Sequence, residues 1–297
     1  MDIDIILLGS FERWMKTLEF APSTVYGSVR YVNDFFFYLK TVEQVSPEQI
    51  QTGTISRYLD YLNGRSKKNG PGALSQNYIT SNINAIKRFS RYLEQTGRPS
   101  FEVSVKTIQE KHPLKTLITP DEIHALYKAC DNESMLGIRD KAILGVYYGC
   151  GLRRSEGIAL NVKDILLREK LILVRAGKGY RERYVPMTEG VRDDLEHYIL
   201  VARERIQSFK KTKNEALFLS MQVKRMCGNA IIDRLQHLCQ EAKLGKMIGL
   251  HCLRHSIATH LLQGGLTLEE VSHFLGHSSL ESTQIYTHLS NEQETRV

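Results

Sequence analysis

The chain has 297 residues, which at roughly 100–200 residues per domain points to two domains. Its hydrophobic content of 42% and charged content of 25% fit ordinary packed cores. Apolar runs such as Ile5–Leu8 and Phe35–Tyr38 fall far short of the ~20 residues that a membrane-spanning helix needs. The formal charge of +7 suits a polyanionic partner, although charge alone speaks only to non-specific attraction.

The start, Met-Asp-Ile-Asp, is acidic where a signal peptide would be basic, so the expectation is a cytoplasmic protein with no membrane segment. Residues 1–100 carry helical patterning only. Ser23 is placed to cap a helix in which Val25, Val29, Val32, Phe36 and Leu39 share a face. Ser46-Pro47-Glu48-Gln49 has the form of a capping box opening the helix that carries Ile55, Leu59 and Leu62. After the Gly- and Lys-rich break at 64–72, Ser75 opens another helix with the stripe Ile79, Ile83, Ile86, Phe89 and Leu93. The expectation is a four-helix domain over 1–100 and a linker over 101–115, where Pro113 interrupts any period.

From 116 to 297 the pattern is mixed. Thr119-Pro-Asp-Glu122 is a capping box, and a helical run through 136–148 stops at Gly151. Between 164 and 187 three short β-type runs, Ile165–Leu167, Leu171–Val174 and Arg183–Pro186, are separated by turn-like breaks and predict a small antiparallel sheet. Helices then resume, with helix-ending glycines at 264 and 276 and capping boxes at Thr267…Glu270 and Ser278…Glu281. The fold class expected is mainly α: a helical N-terminal domain and an α+β domain. The five cysteines are scattered, with no Cys-x-x-Cys, and read as reduced, mostly buried thiols rather than a zinc site or a disulfide framework.

Several polar residues interrupt the apolar pattern of the second half. Gly151-Leu-Arg153-Arg-Ser-Glu156 sets an arginine just past a glycine break, with a carboxylate three residues on. Lys178 stands in a Gly-Lys-Gly turn. His251 and Arg254 are three apart and share a helix face, His277 follows a helix-ending glycine, and Tyr286 lies nine residues later. Each alone has a bland explanation: a hydrogen-bonded structural histidine, a hairpin turn, a core tyrosine. Lys87, Arg88 and Arg91 in the N-terminal half read by themselves as a solvated face, and as part of a grip on DNA phosphates only under the family resemblance that follows. Together, two Arg, two His, one Lys and one Tyr make a phosphodiester site with no metal ligand among them.

These motifs, in this order, resemble the tyrosine recombinase (phage integrase) family. The motifs are Gly-Leu-Arg153-Arg-Ser-Glu, Gly-Lys178-Gly-Tyr-Arg-Glu-Arg-Tyr-Val-Pro, His251-Cys-Leu-Arg254-His-Ser-Ile-Ala-Thr-His-Leu-Leu and Leu-Gly-His277-Ser-Ser-Leu-Glu-Ser-Thr-Gln-Ile-Tyr286. The layout is similar to Xer-type recombinases, with a helical core-binding domain over 1–100 and a catalytic domain over 116–297. The resemblance implies Tyr286 as nucleophile and Arg153 and Arg254 on the non-bridging phosphate oxygens. It implies His251 as the base, His277 as a donor to the phosphoryl group and Lys178 as the general acid. Glu156 supports them by orienting the arginines and His251. It further implies a 3′-phosphotyrosyl intermediate, neither metal nor ATP nor any other cofactor, double-stranded DNA as partner, and a homo- or hetero-tetramer on that DNA. The 11 residues after Tyr286 form a short polar tail. The expectation is therefore lighter docking onto the neighbouring subunit, or a differently regulated assembly.

Other readings compete. A type IB topoisomerase would share the chemistry but work as a monomer. A non-catalytic DNA-binding regulator would leave the Arg-Lys-His-Arg-His-Tyr series unexplained. Within recombination, chromosome dimer resolution stands beside mobile-element integration or excision and DNA inversion. The target DNA sequence is not legible in the chain.

Overall fold

The computed structural model describes residues 3–67, 71–105, 117–175 and 182–276. The chain divides into two compact units, Met1–Pro113 and Leu114–Val297.

The first unit is built from four α-helices: α1 (Ile3–Thr17), α2 (Pro22–Tyr38), α3 (Thr52–Gly64) and α4 (Gln76–Gln95). Helix α2 starts two residues earlier than a Ser23 cap implies. Pro22, with its backbone already held near helical φ, takes the first position and leaves Ser23 inside the first turn, where Ala21 is the cap. Ser46 does form its capping box with Gln49, but it opens only a single 3-10 turn, Pro47–Gln49, and α3 begins at Thr52. Ser75 caps α4 as expected, its Oγ accepting from the Tyr78 N–H at 3.3 Å. The apolar stripes meet in one core in which Phe11, Val32, Phe35, Ile55, Tyr58, Leu62, Ile83, Ile86 and Phe89 are essentially fully buried.

The second unit opens with α5 (Pro120–Lys128), whose Thr119–Glu122 capping box is reciprocal: the Thr119 N–H donates to Glu122 Oε2, and the Glu122 N–H donates to Thr119 Oγ1. Helix α6 (Met135–Leu144) continues into a π-turn, Gly145–Gly149, before the short α7 (Arg154–Ala159). Strands β1 (Ile165–Leu166), β2 (Leu171–Val174) and β3 (Arg183–Pro186) form an antiparallel sheet in sequence order. Ile172 stands opposite Val185, and Val174 opposite Arg183. Period-two alternation turns Ile172, Val174 and Val185 into the core while Tyr184 faces solvent. Pro186 ends an edge strand, where its missing N–H costs no ladder bond. After the sheet come α8 (Glu189–His197), a π-turn (Tyr198–Arg203), α9 (Glu204–Gln207), α10 (Gly228–Glu241), α11 (Leu250–Gln263) and α12 (Leu268–Leu275).

Buried charges in this unit are paired. Asp140, about 1% exposed, is forked by Arg234 through Nε and Nη2. Arg203 donates to the carbonyls of Asn214, Ala216 and Leu217, and Arg225 to those of Ile158 and Leu160. Such charge-assisted bonds fix long loops that carry no regular structure of their own. Helix α11 packs on the π-turn that ends α6. It is pinned there by the Tyr148 hydroxyl against His260 Nδ1 at 2.9 Å, and by Ser256 Oγ accepting from the Ile118 N–H at 2.9 Å. All five cysteines are free; Cys130, Cys150 and Cys239 are buried, Cys252 is half-buried and Cys227 is exposed.

Candidate active site

Three chain segments of the second unit converge on one carboxylate. Gly151 takes positive φ (+60°), a conformation open to glycine at no steric cost, and turns the chain from the π-turn into α7. Arg153 then sits at the N-cap of α7 with Glu156 three residues on, so the Glu156 carboxylate accepts the Arg153 backbone N–H at 2.8 Å. The helix start therefore fixes where this carboxylate points. Arg153 Nη1 also donates to Glu156 Oε1 at 2.8 Å, and Nη2 to the Gly276 carbonyl at 2.9 Å. From α11, Arg254, about 3% exposed, reaches the carbonyls of Gly151 (2.5 Å) and Leu275 (2.7 Å), and stops 3.8 Å from Glu156 Oε2.

A third guanidinium, absent from the sequence expectation, completes the cluster. Arg183, the first residue of β3, forks Glu156 with Nη1 on Oε1 (2.9 Å) and Nη2 on Oε2 (3.0 Å). Its Nε is buried and has no hydrogen-bond partner among the described residues. It lies against Gly276, where a Cβ would come within 2.5 Å of that nitrogen. The signal for it shows only once the faces of β3 are known. Arg183 shares the inward strand face with Val185, and a charge on the buried face of a strand implies a buried partner.

Burial by itself would raise the Glu156 carboxyl. The Arg183 hydrogen bonds, the Arg153 N–H and the guanidinium charges outweigh it and hold the group down at about 2. Glu156 is thus ionised at any physiological pH, surrounded by three guanidinium groups. A cluster with this excess of fixed positive charge attracts an anion and repels a cation. Among the described residues, no group of three or more His, Cys, Asp or Glu is placed to hold a metal ion.

The structure brings Arg153, Glu156 and Arg254 together as the sequence reading expects. His251 is exposed one turn before Arg254 on α11, its ring 6.0 Å from that of His255. Lys178, His277 and Tyr286 lie outside the described residues. In the first unit, Lys87 and Arg91 are exposed on α4. Arg88 is half-buried, donates to Ser28 Oγ at 3.4 Å, and lines a polar cleft between α2 and α4 with Ser23, Thr24, Ser81 and Asn84.

Residues 116–293 match the model of the phage integrase family. The chain is 35% identical over 212 residues to tyrosine recombinase XerD of Pseudomonas aeruginosa, covering 70% of each protein. It is 30% identical over 280 residues to tyrosine recombinase XerD of Oceanobacillus iheyensis, covering 87% of this chain and 93% of the relative. Its fold is similar to that of the XerH site-specific recombinase crystallised on its difH substrate before cleavage. That likeness has a TM-score of 0.70 at 19% identity, over 99% of this chain and 95% of the other.

Proposed function

The chain belongs to the phage integrase family and is a tyrosine site-specific recombinase of Xer type, and from that premise we propose how its residues divide the work. Tyr286 attacks the scissile phosphodiester, and Arg153 and Arg254 hold the non-bridging oxygens as negative charge builds on them. His251 takes up the phenolic proton, which a free tyrosine would release only near pH ~10. His277 donates to the phosphoryl group, and Lys178 protonates the departing 5′ oxygen. The resulting 3′-phosphotyrosyl ester conserves the energy of the broken bond, so a 5′-hydroxyl can reseal it without ATP. Xer relatives of high coverage favour this reading over a mobile-element integrase or an invertase.

The observation that carries the proposal is the convergence of Arg153 and Arg254 beside one ionised carboxylate, from helices about a hundred residues apart in sequence. Preorganised donors of this kind act on charge that develops in the transition state, and removing one commonly costs on the order of 100-fold or more. The region over 1–100 serves as the core-binding domain, with Lys87, Arg88 and Arg91 on phosphates, and the region over 116–297 as the catalytic domain. A tetramer on double-stranded DNA and a cytoplasmic site of action complete the proposal; no described helix is long and apolar enough to cross a membrane.

The test is a nicked duplex carrying the sequence that the wild-type chain enriches from a randomised library. A covalent protein–DNA adduct is expected to form in the presence of EDTA. Tyr286→Phe abolishes it with DNA binding intact, and an undiminished adduct in that variant moves the nucleophile elsewhere. Arg153→Ala and Arg254→Ala suppress adduct formation far more than binding.

A further inference from the structure

We infer that Arg183 is a positioning residue for the reaction: together with Arg153 it saturates the Glu156 carboxylate and so keeps Arg254 electrostatically available to the phosphate. The inference rests on the recombinase reading given above. A carboxylate has about four lone-pair sites. On Glu156 all four are taken: Oε1 accepts from Arg153 Nη1 and Arg183 Nη1, and Oε2 from the Arg153 N–H and Arg183 Nη2. Arg254, the next donor outward, stands 3.8 Å from Oε2, beyond hydrogen-bond length. Removal of Arg183 opens two acceptor sites on an ionised group, and Arg254, 3.8 Å away, is the nearest guanidinium not already hydrogen-bonded to it. Arg254 would then turn toward Glu156 and away from a substrate.

The charge ledger points the same way. Three guanidinium groups around one carboxylate leave the cluster at a net two positive. A phosphodiester carries one negative charge at rest and gains a second as a nucleophile adds to phosphorus, so this cluster matches the transition state rather than the ground state. Without Arg183 the cluster falls to a single net positive charge. Arg183 sits at the start of β3 with its Nε pressed on Gly276, so one side chain also ties the sheet to the helix α7 start and to the end of α12.

The experiment compares Arg183→Gln with the double variant Arg183→Gln/Glu156→Gln, which removes one charge of each sign and restores the net two positive. Gln at 156 keeps the capping box that opens α7. The first readout is single-turnover adduct formation on the nicked duplex. The second is the affinity for sulfate, a dianion, read from thermal-shift titration against chloride at matched ionic strength. Arg183→Gln is expected to slow adduct formation about 100-fold, the scale of a displaced catalytic group, with DNA binding little changed. It is expected to weaken sulfate binding about tenfold through the lost charge. The double variant is expected to recover most of the sulfate affinity and at least tenfold of the rate. A residue that merely props up the fold gives the opposite ordering, with the double variant no better than the single, and that result overturns the inference. Unchanged rate and sulfate affinity in Arg183→Gln overturn it as well. If wild type yields no adduct on any duplex, the recombinase reading fails, while the sulfate series still decides the role of Arg183.

Discussion

Replacing Glu156 by Gln should change how the protein responds to acid in a defined window. In the folded chain the carboxyl is held at about 2 against an ordinary 4.5, because Arg183 and Arg153 hydrogen-bond and neutralise its ionised form more strongly than burial penalises it. At about 1.4 kcal/mol per tenfold change in proton affinity, that difference is worth about 3 kcal/mol of folding stability. The carboxyl is depressed on folding, so the contribution is complete above pH ~4.5, shrinks as pH falls, and is gone below pH ~2. About 2 kcal/mol of it is lost by pH 3. Urea unfolding of the full chain, followed from pH 7 to pH 3 for wild type and Glu156→Gln, isolates the effect because other titrating groups cancel in the difference. The gap in stability between the two proteins should stay constant down to pH ~5 and then close by about 2 kcal/mol at pH 3. A gap that stays flat across that range would falsify the claim that this carboxylate is the ionised hub of the site.

Two further outcomes follow from packing and charge. Gly157 faces Tyr147 so closely that an added Cβ would sit 2.5 Å from the phenolic oxygen, so Gly157→Ala should cost about 1–3 kcal/mol and loosen α7, read as a lowered unfolding midpoint together with slower adduct formation. Replacing Lys87, Arg88 and Arg91 together by Ala should weaken binding across DNA sequences alike and reduce the slope of log affinity against log salt by nearly one for each phosphate these side chains neutralise; an unchanged slope assigns those residues to a solvated face.

Much of the fold was written in local chemistry. Thr119, Thr267 and Ser75 announce helix starts because a hydroxyl capping the first turn is a short-range bond that tertiary packing has little reason to override. The sheet was legible from a change of period between 164 and 187. Ser23 and Ser46 show where that logic stops. A proline one residue away pre-empted the first cap, and the second capped a turn that packing did not extend. At the end of α11, Gly264 is the cap, but the positive φ falls on Gly265 (+95°). Arg153, Glu156 and Arg254 were recoverable because each stands in a motif with internal spacing. Arg183 was not, since its partner is 27 residues away and its own strand reads as ordinary alternation until the burial of Val185 is known.

Arg254 is held by the carbonyl of Gly151, 103 residues before it, and Arg153 by that of Gly276, 123 residues beyond it. Neither hold can form before the residues at both of its ends have been made and packed together. The anion grip is therefore assembled by the same event that completes the domain. The positive charge of this cluster is in that sense a property of the completed domain and of neither half of it alone.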